Sequence, residues 1–230
     1  MHWGMNIIIS LLVIFGGLGF TAIIELYEYL IGKRRKISVN SKFSTLITLL
    51  LLGVGTFLFF ILEYRYTGEL TDGSVQQRLL VSFFHSASLR TAGFSTVSIA
   101  GISGTTALLC MLLMFIGASP NSTGSGIKTT TFGILYLGVR TSLLNKRYIE
   151  YSKRRISWQL FNKASTLVFI ASSYIMIMAI LMMYFDRDKE PIKVLFELMS
   201  AFSTCGLSMG LTSWLSTPSQ VILLITMFLG

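Results

Sequence analysis

Ser88-Leu89-Arg90-Thr91-Ala92-Gly93-Phe94-Ser95-Thr96 is a small-residue turn behind a short apolar stretch, and it recurs 113 positions later as Ala201-Phe202-Ser203-Thr204-Cys205-Gly206-Leu207-Ser208-Met209. In both copies Thr-x-Gly stands where an apolar stretch too short to cross a bilayer stops. A helix needs about 20 apolar residues to span the hydrocarbon core, and stretches of roughly 10 to 14 are more often re-entrant or buried. Non-helical backbone at that depth survives only where protein buries it or a water-filled path solvates it. The pattern is that of a re-entrant pore loop, used twice.

Outward from these turns, composition agrees. Hydrophobic residues make up 53% of the chain and charged ones 13%, the mean hydropathy is +0.69, and the apolar residues come in long blocks, which marks an integral membrane protein. The net charge of +9 lies between apolar blocks, so it argues for membrane orientation and against nucleic acid. Cys110 and Cys205 give neither a disulfide framework nor a metal-ligand spacing.

In chain order, Met5 to Ile24 reads as a spanning helix with packing glycines at Gly16, Gly17 and Gly19, and Glu25 and Glu28 read as its solvated end. The basic run Lys33-Arg34-Arg35-Lys36 follows the apolar block, whereas a signal peptide carries its charges in front. Phe43 to Leu62 is a second span. Ser74 with Gln77 has the form of a capping box and starts a short helix from Val75 to Ser88, whose C-terminal carbonyls favour a cation.

The apolar block Ala107 to Ile116 breaks at Gly117-Ala118-Ser119-Pro120-Asn121-Ser122-Thr123-Gly124-Ser125-Gly126, and helix resumes at Lys128 to Val139. Gly, Pro, Ser and Asn at this density end a helix, and neither flank crosses alone, so one interrupted inner helix with a loop at membrane depth is expected. An ordinary external or cytoplasmic loop between two helices stays open as an alternative. A phosphate-binding loop fits poorly because Ile127 separates Gly126 from Lys128. Ala164 to Phe185 is a third full span, Pro191 opens a second short helix, and Val221 to Gly230 begins a further span. The two basic connections hold five Lys and Arg between Lys33 and Lys42 and seven between Arg140 and Lys163. They therefore belong in the cytoplasm, with both Thr-x-Gly turns on the outer side.

Glycine opens positive-φ conformations that aim a carbonyl inward, and carbonyl oxygens can replace the water of a monovalent cation. Arg90 reads as an outer-face residue paired with a carboxylate. Lys128, costly at membrane depth by about 3 kcal/mol, either snorkels to the cytoplasm or anchors the loop. The loop carries few apolar side chains to pin it and several glycines, which suits a movable element.

The segments SLRTAGFSTVS at Ser88 to Ser98, IGASPNSTGSGIKTTTFG at Ile116 to Gly133 and AFSTCGLSMG at Ala201 to Gly210 resemble the Trk/Ktr/HKT potassium-transport superfamily, nearest to the pore subunits of bacterial Ktr and Trk systems. The resemblance covers the whole chain. It implies an all-α integral membrane fold of repeated outer helix, re-entrant pore helix with filter loop, and inner helix. Residues 1–42 would hold the inner helix of a preceding repeat and a basic loop, 43–157 a complete repeat with the interrupted inner helix, and 158–230 a repeat without its inner helix, so that the chain supplies two filters of four. The ion filter would comprise Thr91, Ala92, Gly93 and Phe94 with Thr204, Cys205, Gly206 and Leu207, holding K+ at its backbone. The gate loop would comprise Gly117, Ser119, Pro120, Ser122, Thr123, Gly124 and Gly126 with Lys128. The transported ion would be K+, with Na+ as a second candidate, and no bound cofactor is expected. Implied partners are a second full-length subunit, a cytoplasmic nucleotide-binding regulatory subunit and membrane lipid, in a multi-pass protein of the bacterial inner membrane. A secondary cation transporter with broken helices is the nearest alternative. An intramembrane enzyme is more distant, since His2 and His85 are the only histidines and the loop serines have no evident base.

Overall fold

The fold is taken from a computed structural model that describes residues 3–33, 35–64, 74–90, 92–152 and 154–230. The chain is mostly helical. Its helices are α1 (Trp3–Leu18), α2 (Phe20–Leu30), α3 (Val39–Tyr64), α4 (Val75–Ser88), α5 (Gly104–Phe115), α6 (Thr129–Leu143), α7 (Trp158–Phe185), α8 (Pro191–Phe202) and α9 (Thr217–Leu229).

Length separates the spanning helices from the rest. Val39–Leu62 within α3 has 24 residues and α7 has 28, both strongly apolar. At about 1.5 Å per residue they reach about 36 and 42 Å, more than the roughly 30 Å of a hydrocarbon core. α3 begins before Phe43, where the apolar pattern alone starts. The outward faces of α7, with Leu167, Ile170, Ile177 and Ile180 exposed, suit contact with lipid.

α1 and α2 depart from the single straight span expected over Met5 to Ile24, since the pair bends by 104°. The hinge is Gly19, whose φ of +85° is open only to glycine, and a Cβ there would sit 2.4 Å from the Pro120 carbonyl oxygen. Backbone from the loop between α5 and α6 thus fills the inside of the bend. Glu25 is not merely solvated, for it accepts the Ser38 N–H at 2.8 Å and ties α2 to the start of α3.

The second departure is a two-stranded antiparallel hairpin, β1 (Ile149–Tyr151) with β2 (Arg154–Ile156), in the basic connection read as a loop. It seats Tyr151 against Phe43, ring centroids 4.5 Å apart, so both basic connections meet at one end of the molecule. At the opposite end of α7, Asp186 accepts the Ser216 N–H and hydroxyl, each at 3.0 Å, and fixes the start of α9.

Two apolar clusters hold the middle. Phe59, Leu89, Cys110 and Met114 from the first half pack with Phe196, Cys205 and Leu207 from the second. Ala171, Ile175, Ala179 and Met182 of α7 pack with Val194, Leu198 and Ala201 of α8. The first cluster joins the ends of the two short helices α4 and α8.

Candidate ion path: two glycine turns and an intramembrane loop

α4 opens with the capping box read from sequence: Ser74 Oγ accepts from Gln77 N at 3.3 Å and Gln77 Oε1 accepts from Ser74 N at 3.1 Å. α8 opens with Pro191 at its first position, where the missing N–H costs nothing. Both helices stop at the Thr-x-Gly turns. In the first, Ala92 N and Gly93 N both donate to the Ser88 carbonyl, at 3.0 and 3.1 Å, and Gly93 has φ +68°. In the second, Cys205 N donates to the Ser200 carbonyl at 2.9 Å, and Gly206 has φ +84°. Thr91 lies outside the described residues.

The turns touch. Cys205 Sγ lies 3.7 and 3.5 Å from the Ser88 and Leu89 carbonyl oxygens, and a Cβ on Gly93 would fall 1.8 Å from the Cys205 carbonyl oxygen. Thr204 has φ +49°, a region that β-branched residues rarely enter and that costs on the order of 1–3 kcal/mol. Phe94 is exposed beside the first turn and Leu207 is buried beneath the second.

Sequence reasoning missed the braces behind these turns. Glu197, buried on α8, accepts from Ser208 Oγ at 2.6 Å, Met209 N at 3.0 Å and Thr212 Oγ1 at 2.7 Å, so one carboxylate holds the strand leaving the second turn. A lone carboxylate in a short apolar helix was the available signal. His85 stands one position beyond the matching site of the first copy. Its ring stacks on Phe59 at 5.2 Å, and its Nε2 lies 3.4 Å from Thr96 Oγ1.

The loop of residues 117–126 is closed at its neck, where Ile116 and Ile127 pair as a parallel bridge and Ile127 N donates to the Phe115 carbonyl at 3.1 Å. It is pinned more than its composition suggests. Ser119 N donates to the Gly17 carbonyl at 2.9 Å, Phe20 N to the Asn121 carbonyl at 3.0 Å, and Thr129 N to the Ala118 carbonyl at 3.2 Å. The first two pins are backbone bonds into the α1–α2 bend and the third joins the loop to the start of α6, none of which glycine and serine content reveals. Ser119 is fully buried and shares hydrogen bonds with Thr129 Oγ1 at 3.0 Å and Thr48 Oγ1 at 3.4 Å. Ser122 Oγ donates to the Ser119 carbonyl at 2.5 Å. Lys128 Nζ donates to the Gly124 carbonyl at 2.6 Å, an anchoring contact inside the loop. Pro120 and Gly124 complete the tip, Thr123 is exposed and Gly126 takes φ +77°.

Arg90 corrects the expectation made for it. The side chain is 6% exposed, and its guanidinium donates to the Thr48 carbonyl at 3.5 Å, Thr48 Oγ1 at 3.4 Å and the Gly117 carbonyl at 3.4 Å. No carboxylate partners it among the described residues. It is turned inward because the chain leaving α4 places it between α3 and the loop neck.

Two short helices bring left-handed glycine turns to one contact, in a mostly helical chain with two helices long and apolar enough to cross a membrane and one bent helix pair, the features of a membrane protein. The chain belongs to the TrkH family of cation transport proteins, whose family model matches residues 4–230. It is 37% identical to the Ktr system potassium uptake protein B of Vibrio alginolyticus over 95% of this chain and 48% of that protein. It is 33% identical to the potassium/sodium uptake protein NtpJ of Enterococcus hirae over 97% of this chain and 49% of that one. The crystal structure of the potassium transporter TrkH from Vibrio parahaemolyticus superposes on all of this chain and 50% of its own with a TM-score of 0.72, at 17% identity, a likeness of fold. The chain spans about half the length of the curated relatives it matches.

Proposed function

We propose that this chain forms part of a K+ uptake path, with Na+ as a second permitted ion, in which backbone carbonyls of the two glycine turns hold the dehydrated cation. The observation that supports it most is the direct contact of the turns, Gly93 against the Cys205 carbonyl, which puts two carbonyl-bearing left-handed turns where one ion would meet both. Carbonyl oxygens hold a monovalent cation without a fixed countercharge that would trap it. Ala92, Gly93 and Phe94, preceded by Thr91, make the first filter segment, and Thr204, Cys205, Gly206 and Leu207 the second.

The loop of residues 117–126 acts as the gate. Its neck adjoins the first turn through Arg90 and Gly117, its tip rests in the α1–α2 bend, and Lys128 holds Gly124. The arrangement runs as outer helix, pore helix and interrupted inner helix in residues 43–157 and as outer and pore helix again from 158, after the inner helix of a preceding repeat within 1–42. The relatives from Ktr systems speak for additional subunits. The basic end, where Lys36, Lys42 and Arg154 line a cavity of about 490 Å³, is the surface on which a cytoplasmic nucleotide-binding subunit would dock, and the full-length protein would pair with a second copy in the bacterial inner membrane.

The test is K+ uptake in a transport-deficient host by a full-length transporter carrying this chain, compared with a variant lacking Ser119 to Ser125. Uptake per molecule in the membrane should rise when the loop is removed. Equal uptake at equal abundance would take the loop out of the ion path.

A further inference from the structure

Among the described residues, Arg90 is the one buried cation beside the two turns. A guanidinium at membrane depth costs about 3 kcal/mol on insertion scales, and a buried charge is tolerated where partners hold it. Here the partners are neutral oxygens from two other elements: the Thr48 carbonyl and hydroxyl on α3, and the Gly117 carbonyl at the loop neck. At 3.4–3.5 Å these are long contacts, so the forked set carries the tie. Arg presents several donors in a planar fork and can bridge two elements at once, which a lysine ammonium on a flexible stem does less well.

The contacts continue past Thr48. Its hydroxyl meets Ser119 Oγ, which meets Thr129 Oγ1 at the start of α6. A buried polar chain therefore runs from the last residue before the first filter segment to both ends of the intramembrane loop. The second turn supplies an internal comparison. Its matching residue is Ser203, whose hydroxyl donates back to the Met199 carbonyl within its own helix at 2.9 Å. Ending a pore helix here requires no arginine. Among the described residues only the first turn reaches the loop through a buried polar side chain, whereas the second meets the loop neck through apolar contacts, Phe202 stacked on Phe115 and packed with Ile127.

We propose that Arg90 is a positioning residue that straps the first glycine turn to the neck of the intramembrane loop, directly through Gly117 and indirectly through Thr48 and Ser119. The loop cannot swing from its neck without releasing the guanidinium, and Arg90, which lies between Ser88 and the Ala92 and Gly93 N–H groups that Ser88 accepts, then no longer ties that turn to its surroundings. Filter geometry and loop position are thereby two readouts of one equilibrium, and whatever biases one biases the other by the same free energy. The functional consequence rests on the reading of the loop as a gate, whereas the strap does not.

The test uses a full-length transporter carrying this chain with Thr123→Cys, an exposed loop position, and follows the rate of modification by a water-soluble thiol reagent in native membranes. Cys110, fully buried, is the internal reference for general unfolding. Arg90→Gln and Thr48→Val should each raise the rate at position 123 by about threefold to tenfold, the range for couplings of this kind, with Cys110 still unreactive. Arg90→Lys should behave like Arg90→Gln, and K+ over Na+ discrimination should fall in all three. An unchanged rate in Arg90→Gln and Thr48→Val overturns the strap whether or not the loop gates. Full restoration by Arg90→Lys overturns it too, because charge alone would then suffice. Should Arg90→Gln also expose Cys110, Thr48→Val decides, since it deletes only a hydroxyl. Loss of gating on loop deletion without any change in these rates, or the reverse, separates failure of the strap from failure of the gate.

Discussion

At the scale of single residues, the two filter glycines are not equivalent. Gly93 and Gly206 both need the left-handed region, where a side chain costs roughly 1–2 kcal/mol, but only Gly93 also has the Cys205 carbonyl within 1.8 Å of its would-be Cβ. Nothing lies within 4 Å of the position a Cβ would take on Gly206. Gly93→Ser should therefore weaken K+ over Na+ discrimination more than Gly206→Ser, by pushing the turns apart instead of only straining one. Competitive uptake of Rb+ against Na+ checks it, and a larger effect at Gly206 would contradict the contact. Glu197 makes a second case. Its replacement by Ala leaves the Met209 N–H without its acceptor and frees two hydroxyls, and an unsatisfied buried donor costs about 1–3 kcal/mol. Glu197→Ala should lower the melting temperature of the extracted protein while Glu190→Ala, at an exposed ion pair with Lys193, should leave it nearly unchanged. The glycines were legible because a repeated Thr-x-Gly after a short helix has a mechanical reason. Glu197 and Arg90 were not, because their partners, the segment after the second turn for Glu197 and α3 with the loop neck for Arg90, are set by the tertiary fold and not by sequence spacing.

At the scale of elements, spans were legible where length alone decides, and illegible where a contact distant in sequence decides. α3 and α7 are long apolar runs, and α4 announces itself through Ser74 and Gln77. The bend between α1 and α2 does not announce itself, since Gly16, Gly17 and Gly19 read equally well as a packing face on a straight helix. What breaks the helix is backbone from Pro120 and Asn121, a hundred residues later, seated against Gly19 and bonded to Phe20 N. The hairpin Ile149–Tyr151 with Arg154–Ile156 escaped notice because strands of three residues leave too little alternation to see. The bend carries its own prediction. Gly19→Ala places a methyl 2.4 Å from the Pro120 oxygen in a conformation alanine resists, so the bend must relax or the loop must leave it. Uptake by the full-length transporter should rise towards that of the loop-deleted form, while Gly17→Ala, with nothing within 4 Å of its would-be Cβ, should behave as wild type. Equal uptake by Gly19→Ala and wild type at equal abundance would show that the bend does not hold the gate.

At the scale of the whole molecule, charge and architecture give one orientation. The two basic connections meet, with Lys36, Lys42, Ser152 and Arg154 lining one cavity and Tyr151 packed on Phe43. Lys and Arg flanking membrane spans are retained on the cytoplasmic side, so the proposed orientation puts this end in the cytoplasm. α7 starts just after the hairpin and runs 28 residues, about 42 Å at the helical rise, to Asp186 and the mixed-sign segment through Lys193. On the proposed orientation that segment is external, and the glycine turns, reached from it by the 12 residues of α8, would sit towards the outer half of the membrane. On that orientation the proposed gate loop would lie on the cytoplasmic side of those turns and be met by an ion after the proposed filter, which is where a gate regulated from the cytoplasm belongs. Single cysteines at Lys36 and Tyr151 should react with a membrane-impermeant reagent only after the cells are opened, and one at Lys189 should react in intact cells. Asp72, read as external from sequence, lies outside the described residues and is a fourth position for the same experiment. Tyr151 is partly covered by Phe43, so Ser152, exposed at the hairpin turn, is the better reporter of that connection. Labelling at 36 or 152 in intact cells would invert the molecule and place the loop on the extracellular side of the turns, where no cytoplasmic subunit could act on it.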